Sequence, residues 1–237
     1  MMDYSLKKID IEGSSHVFVC SGLSNVLTSG KLRSSYVFKR QLYSTLYKKN
    51  DYITKVCYGQ SVPKDILRKY VLKSQAVREV KSSEILTKLG LLAPISNFRA
   101  FSLFPFTKGW IESIHEMVFL DGFEDLGLMF AQRDDSLRVI KCFGRDLALV
   151  VDAMYCPKDL GMGNIMYHPT ERKIAWIDTD LRKFKSKEEL LKSVMSKLRP
   201  RFLRYLDSHQ TDWFWAVFCE TTKMFTYKKD FLEWSGT

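Results

Sequence analysis

Apolar and polar positions alternate through most of the first half of the chain. His16 to Cys20 (HVFVC) is a short apolar, β-branched run. Ser34 to Leu46 (SSYVFKRQLYSTL) alternates loosely and carries aromatic residues. After the polar turn Lys48-Lys49-Asn50-Asp51, Tyr52 to Tyr58 (YITKVCY) reads as a further strand that Gly59 stops. These patterns predict three strands in an antiparallel meander. A helical stretch from about Ser74 to Leu89 ends at Gly90, and Pro94 leads into strand-like segments near Phe98–Phe104 and Glu116–Leu120.

Beyond Asp121 the period lengthens. Asp135 to Met154 is helical through Leu137, Ile140, Leu147 and Val151, and Ser186 to Leu206 reads as a basic amphipathic helix, or a pair interrupted at Pro200. Between them Asn164–Tyr167 and Lys173–Ile177 read as two short strands around a Pro169-Thr170 turn. The Trp- and Phe-rich tail, with Trp213, Phe214, Trp215 and Phe218, reads as helix. The pattern predicts an α+β chain of two lobes: a small β-rich N-lobe with one helix over residues 11–120, and a mainly helical C-lobe over 121–237.

Composition narrows this further. The chain has 237 residues, 46% apolar and 27% charged, a balance that excludes wholesale disorder. The longest aliphatic run is Leu147–Val151, far short of the roughly 20 residues a bilayer span needs. Met1–Gly13 has no signal-peptide core, so the expected location is the cytoplasm. The five cysteines form no CxxC and the four histidines stand apart, so any metal is expected on oxygen ligands, which points to magnesium or calcium.

The net charge of +10 is uneven. Residues 1–100 hold 17 Lys and Arg against 7 Asp and Glu, and the remainder holds 20 against 20. Such an excess is either a solvated basic surface or one that faces phosphate, nucleic acid or an acidic membrane leaflet. No RNP, helix-turn-helix or zinc signature supports nucleic acid.

Chemistry concentrates in Cys156–Phe184. Asn164 follows Asp159 by five residues, and Asp178 lies fourteen further on, across the expected hairpin. The hairpin would return Asp178 beside Asn164. An Asn and an Asp at a strand end supply hard oxygen ligands for Mg²⁺, and an upstream Asp can accept a proton from a hydroxyl nucleophile. This is the spacing of protein-kinase-like phosphotransferases.

Such a catalytic half requires phosphate handling upstream. Lys55 sits mid-strand among apolar residues, where an unpaired ammonium would be expensive, so it needs a carboxylate. Glu79, on the next helix, is the candidate; Lys39 and Glu84 are the rivals. A phosphate loop is expected at Ser29–Ser35, where Gly30 permits close backbone approach and Arg33 and Ser34 suit phosphate. An ordinary hairpin turn would look the same.

With these residues in view, the chain resembles the small bacterial lipopolysaccharide-core sugar kinases, most closely the 3-deoxy-D-manno-octulosonic acid (Kdo) kinase type, with the heptose kinases as relatives. Gly30–Phe38 looks like the short phosphate loop of that family, Ile53-Thr54-Lys55 like its nucleotide-contacting segment, and Arg78-Glu79 through Gly90 and Pro94 like its N-lobe helix. Asp159–Ile165 and Ile177–Asp180 look like its catalytic and metal motifs. The resemblance implies a protein-kinase-like fold, ATP and Mg²⁺ as cofactors, and phosphorylation of an inner-core sugar on a lipid A precursor at the anionic cytoplasmic face of the inner membrane. Lys183–Arg204 is a candidate for contact with that surface. Two departures stand out. Pro157 occupies the place of the usual histidine two residues before the catalytic Asp, and Asp178-Thr179-Asp180 lacks the Phe-Gly of protein kinases. A kinase-like protein that binds nucleotide with little turnover, and a small-metabolite phosphotransferase, are the alternatives.

Overall fold

The computed structural model describes residues 4–11, 14–25, 27, 36–59, 74–102, 110–127 and 136–222. They divide into two compact units: Met1–Lys81 with Pro94–Asp121, and Ser82–Ala93 with Gly122–Thr237. The division falls within helix α1 (Gln75–Lys88). The sequence pattern places that whole helix in the first lobe; its C-terminal turns belong to the second unit.

Unit one is built on a seven-stranded sheet. Its strands are β1 (Tyr4–Ile11), β2 (Ser14–Gly22), β3 (Tyr36–Gln41), β4 (Ser44–Lys49), β5 (Tyr52–Tyr58), β6 (Ser96–Ser102) and β7 (Ile111–Val118), in the order β1-β2-β6-β7-β5-β4-β3 and antiparallel throughout. The expected meander exists, with different members. Ser34–Leu46 is not one strand: β3 and β4 pair through a turn at Leu42-Tyr43, with Leu42 largely exposed. That turn carries no Gly, Pro, Asn or Asp, so nothing in the residues announces it. The HVFVC run belongs to β2, which pairs with β1 and β6 and stands outside the meander.

Alternation sets the buried face. Phe18, Cys20, Val56, Phe98, Ala100 and Ile114 form one apolar cluster with Ile9 and Ile11 of β1. Each large side chain so buried contributes on the order of 1.5–3 kcal/mol. Gly22 closes β2 at φ +90°, and a Cβ there would lie 2.1 Å from the Asn97 carbonyl oxygen, so only glycine fits this pairing with Phe98.

Among the described residues, unit two packs α2 (Ser136–Asp152), α3 (Lys187–Arg201), α4 (Ser208–Thr221) and the C-terminal turns of α1 with two small sheets. One orders its strands as β11 (Lys173–Trp176), β10 (Ile165–His168) and β8 (Glu124–Asp125), and the other pairs β9 (Tyr155–Pro157) with β12 (Leu181–Lys183). Phe143 of α2 is the centre of the core, with ring centroids 4.3 Å from Phe202, 5.7 Å from Trp176 and 5.8 Å from Phe214. Asp207 and Gln210 form a reciprocal capping box at the start of α4.

Pro200 does not interrupt α3 as the sequence suggests. It lies in the last turn, and Phe202 N still closes on the Leu198 carbonyl at 2.9 Å. A proline costs one hydrogen bond there, and the helix is ending in any case. The apolar face of α3 (Leu190, Leu191, Val194, Met195, Leu198) is consumed by the core. Among the described residues, no helix is long and apolar enough to cross a membrane.

Candidate functional site

In unit one the chemistry converges on Glu79. Strand β5 buries Lys55 to 2% exposure, and Nζ lies 3.1 Å from both carboxylate oxygens of Glu79, which is itself 6% exposed. The helix that carries Glu79 is tied to β7 at its start. Gln75 N donates to Glu112 Oε1 at 3.2 Å and Ala76 N to Ser113 Oγ at 3.3 Å, which satisfies amides that a helix N-terminus leaves open.

Two further side chains complete the cluster. Gln75 Nε2 donates to Glu79 Oε1 at 2.7 Å, and His115 Nε2 lies 3.1 Å from Glu79 Oε2. His115 stands beside Lys55 in the β5–β7 register, and its Nδ1 is buried with no hydrogen-bond partner among the described residues. Burial alone raises the Glu79 pKa, but Lys55, His115 and Gln75 together outweigh it and lower it to about 2. The carboxylate is therefore ionised across the ordinary pH range. The rivals are placed elsewhere: Lys39 is exposed on β3, and Glu84 is exposed on α1.

Sequence reasoning missed His115. The residues gave little signal, because His115 is followed directly by Glu116 in a strand, IESIHEMV, that is half polar. Gly30, Arg33 and Ser34, the expected phosphate loop, lie outside the described residues.

In unit two the hairpin brings Asn164 and Asp178 to one end. Ile165 pairs with Trp176, and Ile177 N donates to the Asn164 carbonyl at 2.9 Å, so Asp178 leaves the hairpin next to Asn164. Asp178 holds φ +50°, a left-handed conformation that Asp and Asn tolerate better than most residues. Asn164 Nδ2 donates to the Asp159 carbonyl at 3.1 Å, which ties the two together and engages the amide nitrogen rather than the amide oxygen.

Mg²⁺ binds one or two carboxylates, substrate phosphates and several waters. Asn164 Oδ1 and the Asp178 carboxylate are a chemically apt pair for it. Among the described residues no group of three or more His, Cys, Asp or Glu gathers as a metal cluster.

The segment around Asp159 is fixed by contacts the sequence did not disclose. Pro157 lies in the β9–β12 ladder opposite Leu181. Lys197 of α3 turns inward, and its Nζ donates to the Pro157 carbonyl at 2.9 Å and Ser193 Oγ at 2.9 Å, with Cys156 Sγ at 3.3 Å. Lys158 holds Asp180 twice, through N to the carbonyl and Nζ to Oδ2, each at 2.8 Å. Ser82 of α1 accepts from Leu181 N at 2.9 Å. A ladder and two lysines thus fix the segment that carries Pro157 and leads to Asp159. The Asp159 carboxylate is exposed and accepts from Arg201 Nη1.

No protein-family model and no curated protein matches the sequence. Solved structures do match the fold. WaaP, determined in complex with acyl carrier protein, superposes with a TM-score of 0.58 at 13% identity, over 84% of this chain and 82% of that one. WbdD gives 0.53 at 16% identity, over 84% of this chain and 45% of that one. WbdD with the kinase inhibitor LY294002 gives 0.52 at 18% identity, over 83% and 44%. This chain spans less than half of WbdD, which is described as a bifunctional kinase-methyltransferase. The likeness is one of fold: the chain has the α+β, protein-kinase-like fold of these proteins.

Proposed function

We propose that this protein is an ATP-dependent phosphotransferase that phosphorylates an inner-core sugar of a lipopolysaccharide precursor. The observation that carries the reading is the buried Lys55–Glu79 pair, on a chain with this fold. An ammonium held in an apolar strand by one carboxylate is costly unless its charge is used, and an anionic nucleotide phosphate is the use the fold offers.

Each side chain then has a task. Lys55, oriented by Glu79, contacts nucleotide phosphates. Asn164 and Asp178 hold Mg²⁺ through oxygen. Asp159 orients the acceptor hydroxyl and takes up its proton. Bound Mg·ATP supplies the electrophilic phosphoryl group and the charge neutralisation that its transfer requires. The sugar class rests on the resemblance of the catalytic and metal segments to lipopolysaccharide-core kinases. The net charge of +10 suits an anionic membrane surface, although the apolar face of α3 is spent in the core and contributes nothing to such contact.

A second reading has its own observation. Asp159 is engaged by Arg201 and follows Pro157, which fits a protein that holds nucleotide and turns over little. Two measurements decide. Mass spectrometry of lipopolysaccharide core from cells with and without the gene should show one phosphate fewer in its absence. Purified protein should bind Mg·ATP and transfer phosphate to core oligosaccharide. Binding without transfer to any glycolipid acceptor supports the second reading, and absence of Mg·ATP binding defeats both.

A further inference from the structure

Each carboxylate oxygen of Glu79 has a donor besides Lys55. Gln75 Nε2 donates to Oε1 at 2.7 Å, and His115 Nε2 lies 3.1 Å from Oε2. The two donors differ in what they belong to. Gln75 is on α1 itself, one turn before Glu79, so its side chain fixes the carboxylate within the helix. His115 is on β7, where it is the register partner of Lys55, so it fixes the carboxylate against the sheet. Its ring is 3% exposed and Nδ1 takes no hydrogen bond among the described residues, which leaves Nε2 as the donating atom.

The same strand holds the helix at two earlier points. Gln75 N and Ala76 N donate to Glu112 and Ser113. His115 adds a third tie one turn further on, at the carboxylate that orients Lys55.

We propose that His115 is a positioning residue for the nucleotide: it keeps Glu79 anchored to the sheet while Lys55 turns to the phosphates. The inference rests on the phosphotransferase reading and deepens it. Lys55 Nζ stands 3.1 Å from both Glu79 oxygens, and a phosphate oxygen that draws it away lengthens at least one of those bonds. A buried carboxylate oxygen stripped of its donor is expensive. With Gln75 on Oε1 and His115 on Oε2, neither oxygen is stripped, and Lys55 trades a carboxylate oxygen for a phosphate oxygen without releasing α1. An apolar side chain at position 115 would leave Oε2 to Lys55, and the carboxylate would then hold the lysine back.

The test uses the full chain and calorimetric titration with Mg·ATP, with adenosine, which carries no phosphate, as the competing probe. His115→Leu should weaken Mg·ATP binding about tenfold, the size of one lost hydrogen bond to a charged group, and leave adenosine affinity within about twofold. His115→Gln, whose amide nitrogen reaches the place of Nε2, should recover most of the loss. His115→Asn, whose shorter amide falls short of Oε2, should behave as His115→Leu does and replaces it if the leucine variant does not fold. All titrations are run below the lowest thermal midpoint of the set. Unchanged Mg·ATP affinity in both His115→Leu and His115→Asn, an equal loss for adenosine, or an equal loss in His115→Gln overturns the proposal. A merely structural role for His115 would weaken both probes alike. Parent protein that binds no Mg·ATP overturns the phosphotransferase reading and the inference with it; parent binding without a phosphate-selective loss in the variants overturns the inference alone.

Discussion

Lys55 and Glu79, 24 residues apart in sequence, meet with Nζ 3.1 Å from both carboxylate oxygens, and neither residue is more than 6% exposed. Their burial makes the pair a structural element as well as the proposed nucleotide contact. Sequence reasoning alone expects Lys55→Met to weaken ATP use and to leave folding largely intact, since methionine fills similar volume. The structure changes that expectation, because the variant would strand a buried carboxylate with only His115 and Gln75 for partners. Removing one member of a buried pair costs about 3–5 kcal/mol. Lys55→Met should therefore lower the denaturation midpoint and abolish Mg·ATP binding, whereas Lys55→Met/Glu79→Gln should regain much of the stability and none of the binding. Chemical denaturation beside nucleotide titration separates the two effects. A Lys55→Met protein of wild-type stability that binds ATP normally would refute both parts.

The same cluster sets an acid limit. The folded-state pKa of Glu79 is lowered from 4.5 to about 2, chiefly by Lys55 working against burial. A carboxylate whose pKa falls on folding contributes stability that is fully present above its unfolded value and drains as pH drops through the folded one. The loss should begin below about pH 4.5 and run toward pH 2. Glu79→Gln should flatten this limb. Thermal midpoints at pH 7, 4 and 3 measure it, and parallel curves for wild type and Glu79→Gln would show that Glu79 is not responsible.

Much of this was legible in the residues, for physical reasons. A long buried helix such as α2 must repeat its apolar positions at helical spacing, and a hairpin between Asn164 and Asp178 needs little more than two short apolar runs and a turn. The paired fate of Lys55 followed from the cost of an ammonium in an apolar strand. What stayed hidden depended on partners distant in sequence. Arg201 reaches Asp159 across 42 positions and Lys197 reaches Pro157 across 40, and no local pattern encodes either contact. The Leu42-Tyr43 turn was missed because its residues are not turn formers. Strand β1 was missed because its first five residues are exposed, and an edge strand that faces water shows little alternation.

The Lys197 clamp offers a test of how the loop before Asp159 is held. Lys197 Nζ bonds the Pro157 carbonyl and Ser193 Oγ and approaches Cys156 Sγ. Lys197→Met retains the stem that packs beside the core and removes all three contacts. Asp159 should then lose its fixed position relative to the acceptor, and a displacement of about 1 Å can cost on the order of 10²-fold in rate. The expected signature is a fall in kcat with unchanged Mg·ATP affinity. Lys197→Arg should restore part of the rate, which a merely destabilised protein would not do. Unchanged kcat in Lys197→Met would remove the clamp from the mechanism.

Asp178 allows the charge of the proposed metal ligand to be separated from the backbone it occupies. At φ +50° most side chains are strained, so Asp178→Ala changes two things at once: it removes the carboxylate and places a residue with no local compensation in a left-handed conformation. Asn tolerates that conformation at least as well as Asp and keeps one oxygen donor. Asp178→Asn should therefore keep the local backbone, because the Ile177–Asn164 backbone bond and the Thr179 hydroxyl bond to the Ile177 carbonyl do not depend on its charge. Mg²⁺ loses its carboxylate ligand in this variant, and a neutral amide is a much weaker partner for a hard dication. Phosphoryl transfer should drop by roughly 10²-fold or more, since metal and positioning supply most of the rate in this chemistry, with partial recovery at high Mg²⁺ as the weakened site fills. Asp178→Gly, which relieves the backbone entirely, should be equally inactive. Transfer at the parental rate in Asp178→Asn at ordinary Mg²⁺ would place the metal elsewhere.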